Sequence, residues 1–268
     1  MGLRINTTSP ALDAQRQIGQ RAEALTRNLE GLGSALRINR ARDDAAGLAI
    51  AERLRADIRQ LGRETSNIQS GIGLVQTAEG GLDAQQGVVS RLQELALQSA
   101  NGTLTDDQRS AINAEAQELL GELDQTAANT DFNGLAPLQG VGPIGLGTED
   151  DLEVEVQEST AASLGLTGVD LSTQAGAQAA LGALGDASNA IAENRASLGA
   201  QQNTFEAAIA SRENTALNLQ DAESRIRDLD IATAAIERTR NQVLLQSAAS
   251  SLIQGNIVPQ TAARLLGG

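Results

Sequence analysis

Seven apolar residues, Leu54, Leu61, Ile68, Val75, Leu82, Val89 and Ala96, stand seven positions apart in an unbroken run. No other feature of the chain constrains its fold as strongly. A heptad kept up for so long describes an α-helix with one apolar seam, packed lengthwise on another helix. Ile50, Ile58, Ile72 and Leu92 lie beside the seam and widen it. A helix from about Ala45 to Ser99 would be roughly 80 Å long at a rise of 1.5 Å per residue, more than a compact globule needs. The period returns at Leu184, Ile191, Leu198, Phe205, Arg212, Leu219 and Ile226. A second rod over about 172–226 is therefore the natural partner of the first. Arg212 interrupts the apolar series. It is expected to lay its stem over apolar neighbours and keep its charge in water.

Between the rods, Thr105-Asp106-Asp107-Gln108 is a capping box: the Thr hydroxyl accepts from a backbone N–H three residues on, and Gln108 reaches back. The two Asp side chains suit the positive end of the helix dipole. Ile112, Ala116, Leu119, Leu120, Leu123 and Ala127 then give the spacing of one buried helical face over about 105–129. Asn101-Gly102 and Asn133-Gly134 read as turns on either side. From about 137 to 168 the chain is rich in Gly, and Leu152-Glu153-Val154-Glu155-Val156 alternates as a short strand with one wet face, expected in a hairpin. Glu149-Asp150-Asp151 beside it reads as a solvated turn, lacking the loop spacing of a calcium site. The ends repeat the heptad, with Ala11, Ile18, Leu25 and Leu32 in a short seam expected to be interrupted at Gly31 and Gly33, and Leu229, Ile236 and Val243 followed by further apolar surface at Leu244, Leu245, Leu252, Ile253 and Ile257. Helices this small-residue-rich are marginal alone in water. The ends are expected to be loosely ordered in a single molecule and fixed when other copies cover them.

Composition closes off most chemistry. Among 268 residues there is no Cys, no His, no Lys, no Trp and no Tyr, and all 20 basic residues are Arg. Disulfides, thiol nucleophiles, Ser-His-Asp triads and ordinary zinc sites are excluded, as are Schiff-base lysines and a P-loop lysine. Gly71-Ile72-Gly73 has no third Gly at the dinucleotide spacing. Carboxylate pairs occur without the aromatic platform that a glycosidase would want. An enzyme is not expected, and no cofactor or metal either. The net charge of −14 is uneven. Residues 64–190 hold two Arg against 19 acids, whereas residues 1–63 carry a balance of +4 and residues 191–268 one of −1. The middle should face solvent while the ends meet. The seven Arg of 37–63 alternate with Asp43, Asp44, Glu52 and Asp57, and a molecule this acidic repels phosphate, so nucleic acid is not a partner. The first ten residues have no apolar core of a secretory signal, and no segment is apolar enough to insert in a membrane. Such a chain stays in the cytosol or leaves by a route that reads no cleaved signal.

Several long motifs resemble one family. Ile5-Asn6-Thr7, the run Leu36 to Glu79, Arg91 to Thr103 and Asp131-Phe132-Asn133-Gly134 are similar to the N-terminal region of bacterial flagellins. Arg195 to Asn203, Ala222 to Asp230 and Gln254 to Gln260 are similar to the C-terminal region. Only about 35 residues separate Asn133 from Val169, which implies a short form without the large outer domains. The resemblance implies a mainly α fold of long antiparallel, coiled-coil-like helical rods with a small β-hairpin region. Residues 1–44 and 227–268 would be the two halves of an inner helical domain and residues 45–226 a rod domain. It also implies a subunit that polymerises into the extracellular flagellar filament for motility. Partners would be other copies of the chain, the flagellar export apparatus, an export chaperone, and the filament cap and junction proteins. Subunit packing would use the helical seams: Ile18, Leu25, Leu32, Leu54, Leu61, Ile68, Val75, Leu82, Val89, Leu198, Phe205, Leu219, Ile226, Ile236 and Val243. Arg91, Glu94, Leu95 and Glu115 match the pattern read by an animal innate immune receptor, with Gln93 where a basic residue is common. A hook–filament junction protein, which shares the terminal helices, and an exported helical adaptor are the alternatives.

Overall fold

The computed structural model describes residues 9–266, with side chains for 12–254. The Ile5-Asn6-Thr7 motif and the side chains of Ala11 and Ile257 lie outside this range. The chain is mainly α. In order it forms α1 (Ser9–Ser34), α2 (Ala45–Ser99), α3 (Asp106–Asn129), a 3-10 turn (Pro137–Gln139), β1 (Ile144–Gly145), β2 (Glu153–Val154), α4 (Gln174–Arg227) and α5 (Ile231–Leu266). Two compact units result. One joins residues up to Ile58 with those from Leu217, and the other is the continuous segment Arg59–Ala216.

The second unit holds the main core. Ile68, Val75, Leu82, Val89 and Ala96 of α2 are buried, with Ile112, Ala116, Leu120, Leu123 and Ala127 of α3 and Leu184, Ile191, Leu198 and Phe205 of α4. The heptad rows thus do what their spacing requires. The capping box forms as read: Gln108 N–H donates to Thr105 Oγ1 at 3.4 Å, and Thr105 N–H donates to Gln108 Oε1 at 3.0 Å. The hairpin is shorter than the alternating pattern. Only Ile144–Gly145 and Glu153–Val154 pair, antiparallel, with Val154 and Val156 buried and Glu153 and Glu155 wet.

Buried polar side chains tie this loop region to the helices. Gln85 Nε2 donates to the carbonyls of Leu123 (3.2 Å) and Ser159 (2.7 Å), while Ser159 Oγ donates back to Gln85 Oε1 at 2.6 Å. Full satisfaction makes such a network specify one register. Gly71 explains itself here. A Cβ at that position would lie 2.9 Å from both methyls of Leu146, so the bare backbone lets that side chain rest directly on α2.

In the first unit α1 packs on α5. Gly31 and Gly33 do not interrupt α1, which continues to Ser34. Gly31 faces Leu229, 3.4 Å from where its Cβ would be. Leu36 pairs with Asp228 in an antiparallel bridge, with Arg37 N–H donating to Arg227 O (2.7 Å) and Leu229 N–H to Ala35 O (3.0 Å). Arg227 Nε donates to Ile38 O at 3.3 Å, and its Nη1 pairs with Glu52 at 3.1 Å.

Candidate subunit-packing site

Placement of the predicted seam residues divides them into three groups. Ile68, Val75, Leu82, Val89, Leu198 and Phe205 are used up inside the chain, in the core of the second unit. The expectation that these six pack between subunits gives way, because no surface is left on them for a neighbour. Ile18, Leu25, Leu32, Leu54, Leu219 and Ile226, in the first unit, and Leu61, in the second, are half-buried. Ile236 and Val243 on α5 are 70% and 55% exposed. The face that α5 shields is instead Ala234, Asn241, Leu244, Leu245, Ala248 and Leu252, so beyond Leu229, which meets Gly31 of α1, the heptad positions 236 and 243 name the outer row. Ile253 on α5 and Leu12 and Leu29 on α1 add to the exposed apolar surface.

Asp230 starts α5. Its carboxylate accepts from the Ala232 and Thr233 N–H groups (3.0 and 3.2 Å) and from the Thr233 hydroxyl (2.8 Å). The Thr233 bonds hold its pKa below the ordinary aspartate value. Asp43 is held low in the same way, chiefly by the Arg40 N–H, which donates at 2.9 Å.

Within the second unit Arg91 reaches Glu94 and Glu115, each at 2.9 Å, on an exposed surface. Leu95 does not join them: it is 2% exposed and belongs to the core. Receptor contact by Leu95 is therefore corrected.

Arg212 overturns its own expectation too. Its side chain is 7% exposed, and its charge is paired and not in water: Nε to Glu64 at 2.9 Å and Nη2 to Asp150 at 3.0 Å, Glu64 itself being 6% exposed. Burial alone would lift the Glu64 pKa, but hydrogen bonds from Gln60 and Arg212 and the Arg212 charge outweigh it and hold the value below the usual glutamate range. Asp150 stays in the exposed turn that the acidic cluster suggested, its side chain 73% exposed, and reaches Arg212 from there. Arg109 was not singled out by its sequence context. It is buried, with Nε donating to Ser99 O and Nη2 to Asn101 O, each at 3.0 Å, across the turn between α2 and α3. Among the described residues no helix is long and apolar enough to cross a membrane.

Paired terminal helices with a long helical middle define the class of fold. A solved structure described as a flagellar hook-associated protein from Vibrio parahaemolyticus aligns with 69% of this chain and 100% of its own, at a TM-score of 0.60 and 16% identity, a likeness of fold alone. Sequence narrows the class. The bacterial flagellin N-terminal helical region matches residues 5–142 and the C-terminal helical region residues 181–266. A flagellin of Halalkalibacterium halodurans is 39% identical over 98% of this chain and 99% of its own, and a flagellar filament 30.7 kDa core protein of Treponema maltophilum is 36% identical over the same shares. The chain belongs to the bacterial flagellin family: it is a structural subunit of the flagellar filament, the organelle's motility fibre.

Proposed function

We propose that the exposed apolar row of α5, Ile236, Val243 and Ile253, together with Leu12 and Leu29 of α1, is what neighbouring copies cover when the filament grows. The exposure of these five large side chains carries the reading. Each Leu or Ile side chain taken out of water contributes about 1.5–3 kcal/mol, so a few per subunit are enough to favour association. Residues 1–44 and 227–268 then line the inner layer, and 45–226 form the surrounding one. Purified monomer seeded with filament fragments is expected to give long filaments by negative-stain microscopy and to sediment. A protein that stays monodisperse at high concentration would refute the reading and favour a soluble adaptor. A single ring of copies at the filament base would favour a junction protein.

Export follows the family. The chain leaves through the flagellum's own secretion apparatus with an export chaperone and adds at the tip under the cap protein. An export-deficient host is expected to retain it. The convergence of Arg91, Glu94 and Glu115 on one exposed surface supports a second role, contact with an animal innate immune receptor. Monomer should trigger reporter cells and Arg91→Ala should weaken the response; silence from the unmutated protein would end this reading.

A further inference from the structure

The chain contains two Asn-Gly pairs, Asn101-Gly102 and Asn133-Gly134, and their surroundings differ chemically. We propose that Asn101 is a self-modification site that converts to isoaspartate in the folded protein, while Asn133 is protected. Conversion needs the N–H of the following residue free to attack the side-chain amide carbon, and it is accelerated by donors on the amide oxygen, where negative charge develops.

At Asn101 both conditions are met. Residues 101 and 102 are exposed, and the Gly102 N–H makes no hydrogen bond among the described residues. Asn101 Oδ1 accepts from the Thr103 N–H at 3.1 Å and from the Thr103 hydroxyl at 3.0 Å. At Asn133 the corresponding Gly134 N–H is committed to Asp131 Oδ1 at 3.1 Å. Asn133 and Gly134 are also held in left-handed backbone, with φ of 53° and 84°, inside the tight turn where Phe132 and Leu135 exchange both backbone bonds.

Hydroxide removes the Gly102 N–H proton, and the nitrogen bonds to Asn101 Cγ. Oδ1 becomes an oxyanion held by the two Thr103 donors. Its collapse breaks the bond to Nδ2, which takes up a proton and leaves as ammonia, closing a five-membered imide. Water then adds to the main-chain carbonyl carbon of Asn101, and the bond from that carbon to Gly102 N breaks. The product is linked through Cγ and carries a free main-chain carboxylate. One water is consumed, one ammonia is released, and nothing is oxidised. Arg109 sets which carbonyl the water attacks. Its Nη2 donates to Asn101 O at 3.0 Å, polarising that carbonyl and pairing with the carboxylate formed there. The isoaspartyl product is therefore favoured over aspartate.

The test is peptide mapping of the full-length chain aged in mildly alkaline buffer, native and in urea, with isoaspartate quantified by enzymatic methylation. In urea the two sites should convert at similar rates. In the native protein Asn101 should convert at least about tenfold faster than Asn133, and Thr103→Ala should slow Asn101 about tenfold or more, the scale of one hydrogen bond to a charged acceptor. The isoaspartate share at position 101 should be higher native than in urea. Equal native rates at the two sites, a native Asn101 slower than in urea, or indifference to Thr103→Ala would overturn the proposal. An unchanged product ratio would overturn the part given to Arg109.

Discussion

Removing one partner of a desolvated ion pair leaves the other charge stranded, which costs about 3–5 kcal/mol. Glu64 and Arg212 are such a pair. Arg212→Ala is expected to lower the stability of the full chain by that amount in urea titrations followed by circular dichroism. The double change Glu64→Leu with Arg212→Met should restore most of it. The same pair carries a pH signature. Because the folded pKa of Glu64 lies below the model-compound value of 4.5, its contribution is complete above that value and disappears as the pH falls through the lower folded one. Glu64→Gln should flatten the loss of stability over that acid range. None of this was legible at residue 212 alone. A lone Arg in an apolar heptad is ordinarily a snorkelling side chain, and the carboxylates that pair with it come from positions 64 and 150, which no local pattern links to it.

Helices were the most readable level. Seven-residue spacing located α2 with the same ends as the folded element, 45–99, and the capping box fixed the start of α3 within a residue. Thr105→Ala should cost about 1 kcal/mol, the usual value of an N-cap, measured in the same titrations. What spacing does not reveal is which neighbour each face meets. On α5 the apolar row through Ile236 and Val243 was visible, and so were Leu244, Leu245 and Leu252, but the shielded face mixes these three with Ala234, Asn241 and Ala248, and spacing does not say which of two apolar rows is the covered one. Two adjacent glycines of α2 show the same limit. A Cβ at Gly81 would sit 2.4 Å from Thr130 Oγ1 and 2.7 Å from Leu138 Cδ1, whereas at Gly80 it would meet nothing within 4 Å. Gly80→Ala should therefore stabilise by up to about 1 kcal/mol through helix propensity. Gly81→Ala should destabilise by about 1–3 kcal/mol through overpacking.

For the molecule as a whole, self-assembly and folding are separable. Ile236→Asp changes a side chain that is 70% exposed in the single chain, so its unfolding curve should shift by no more than about 0.5 kcal/mol. Seeded filament growth, followed by light scattering, should fall by an order of magnitude or more, since a charge would have to be desolvated at each contact. Loss of monomer stability together with growth would instead place Ile236 in the fold of the chain itself. Family and overall class were readable because long motifs persist at both ends. The outward rows were readable only as apolar, because sequence does not say whether a seam closes within a chain or between copies.

The bridge between Leu36 and Asp228 has a temporal consequence. Arg37 donates to the carbonyl of Ile226, 189 positions downstream, so the first unit has no partner for its opening helix until the closing helix exists. Closing so long a loop in an unstructured chain costs roughly 4–5 kcal/mol. Prior folding of the continuous segment 59–216 would remove most of that penalty. A chain that emerges amino end first therefore holds α1 without the helix it packs on until its last stretch arrives, and a prematurely ended copy is expected to add poorly to seeded filaments.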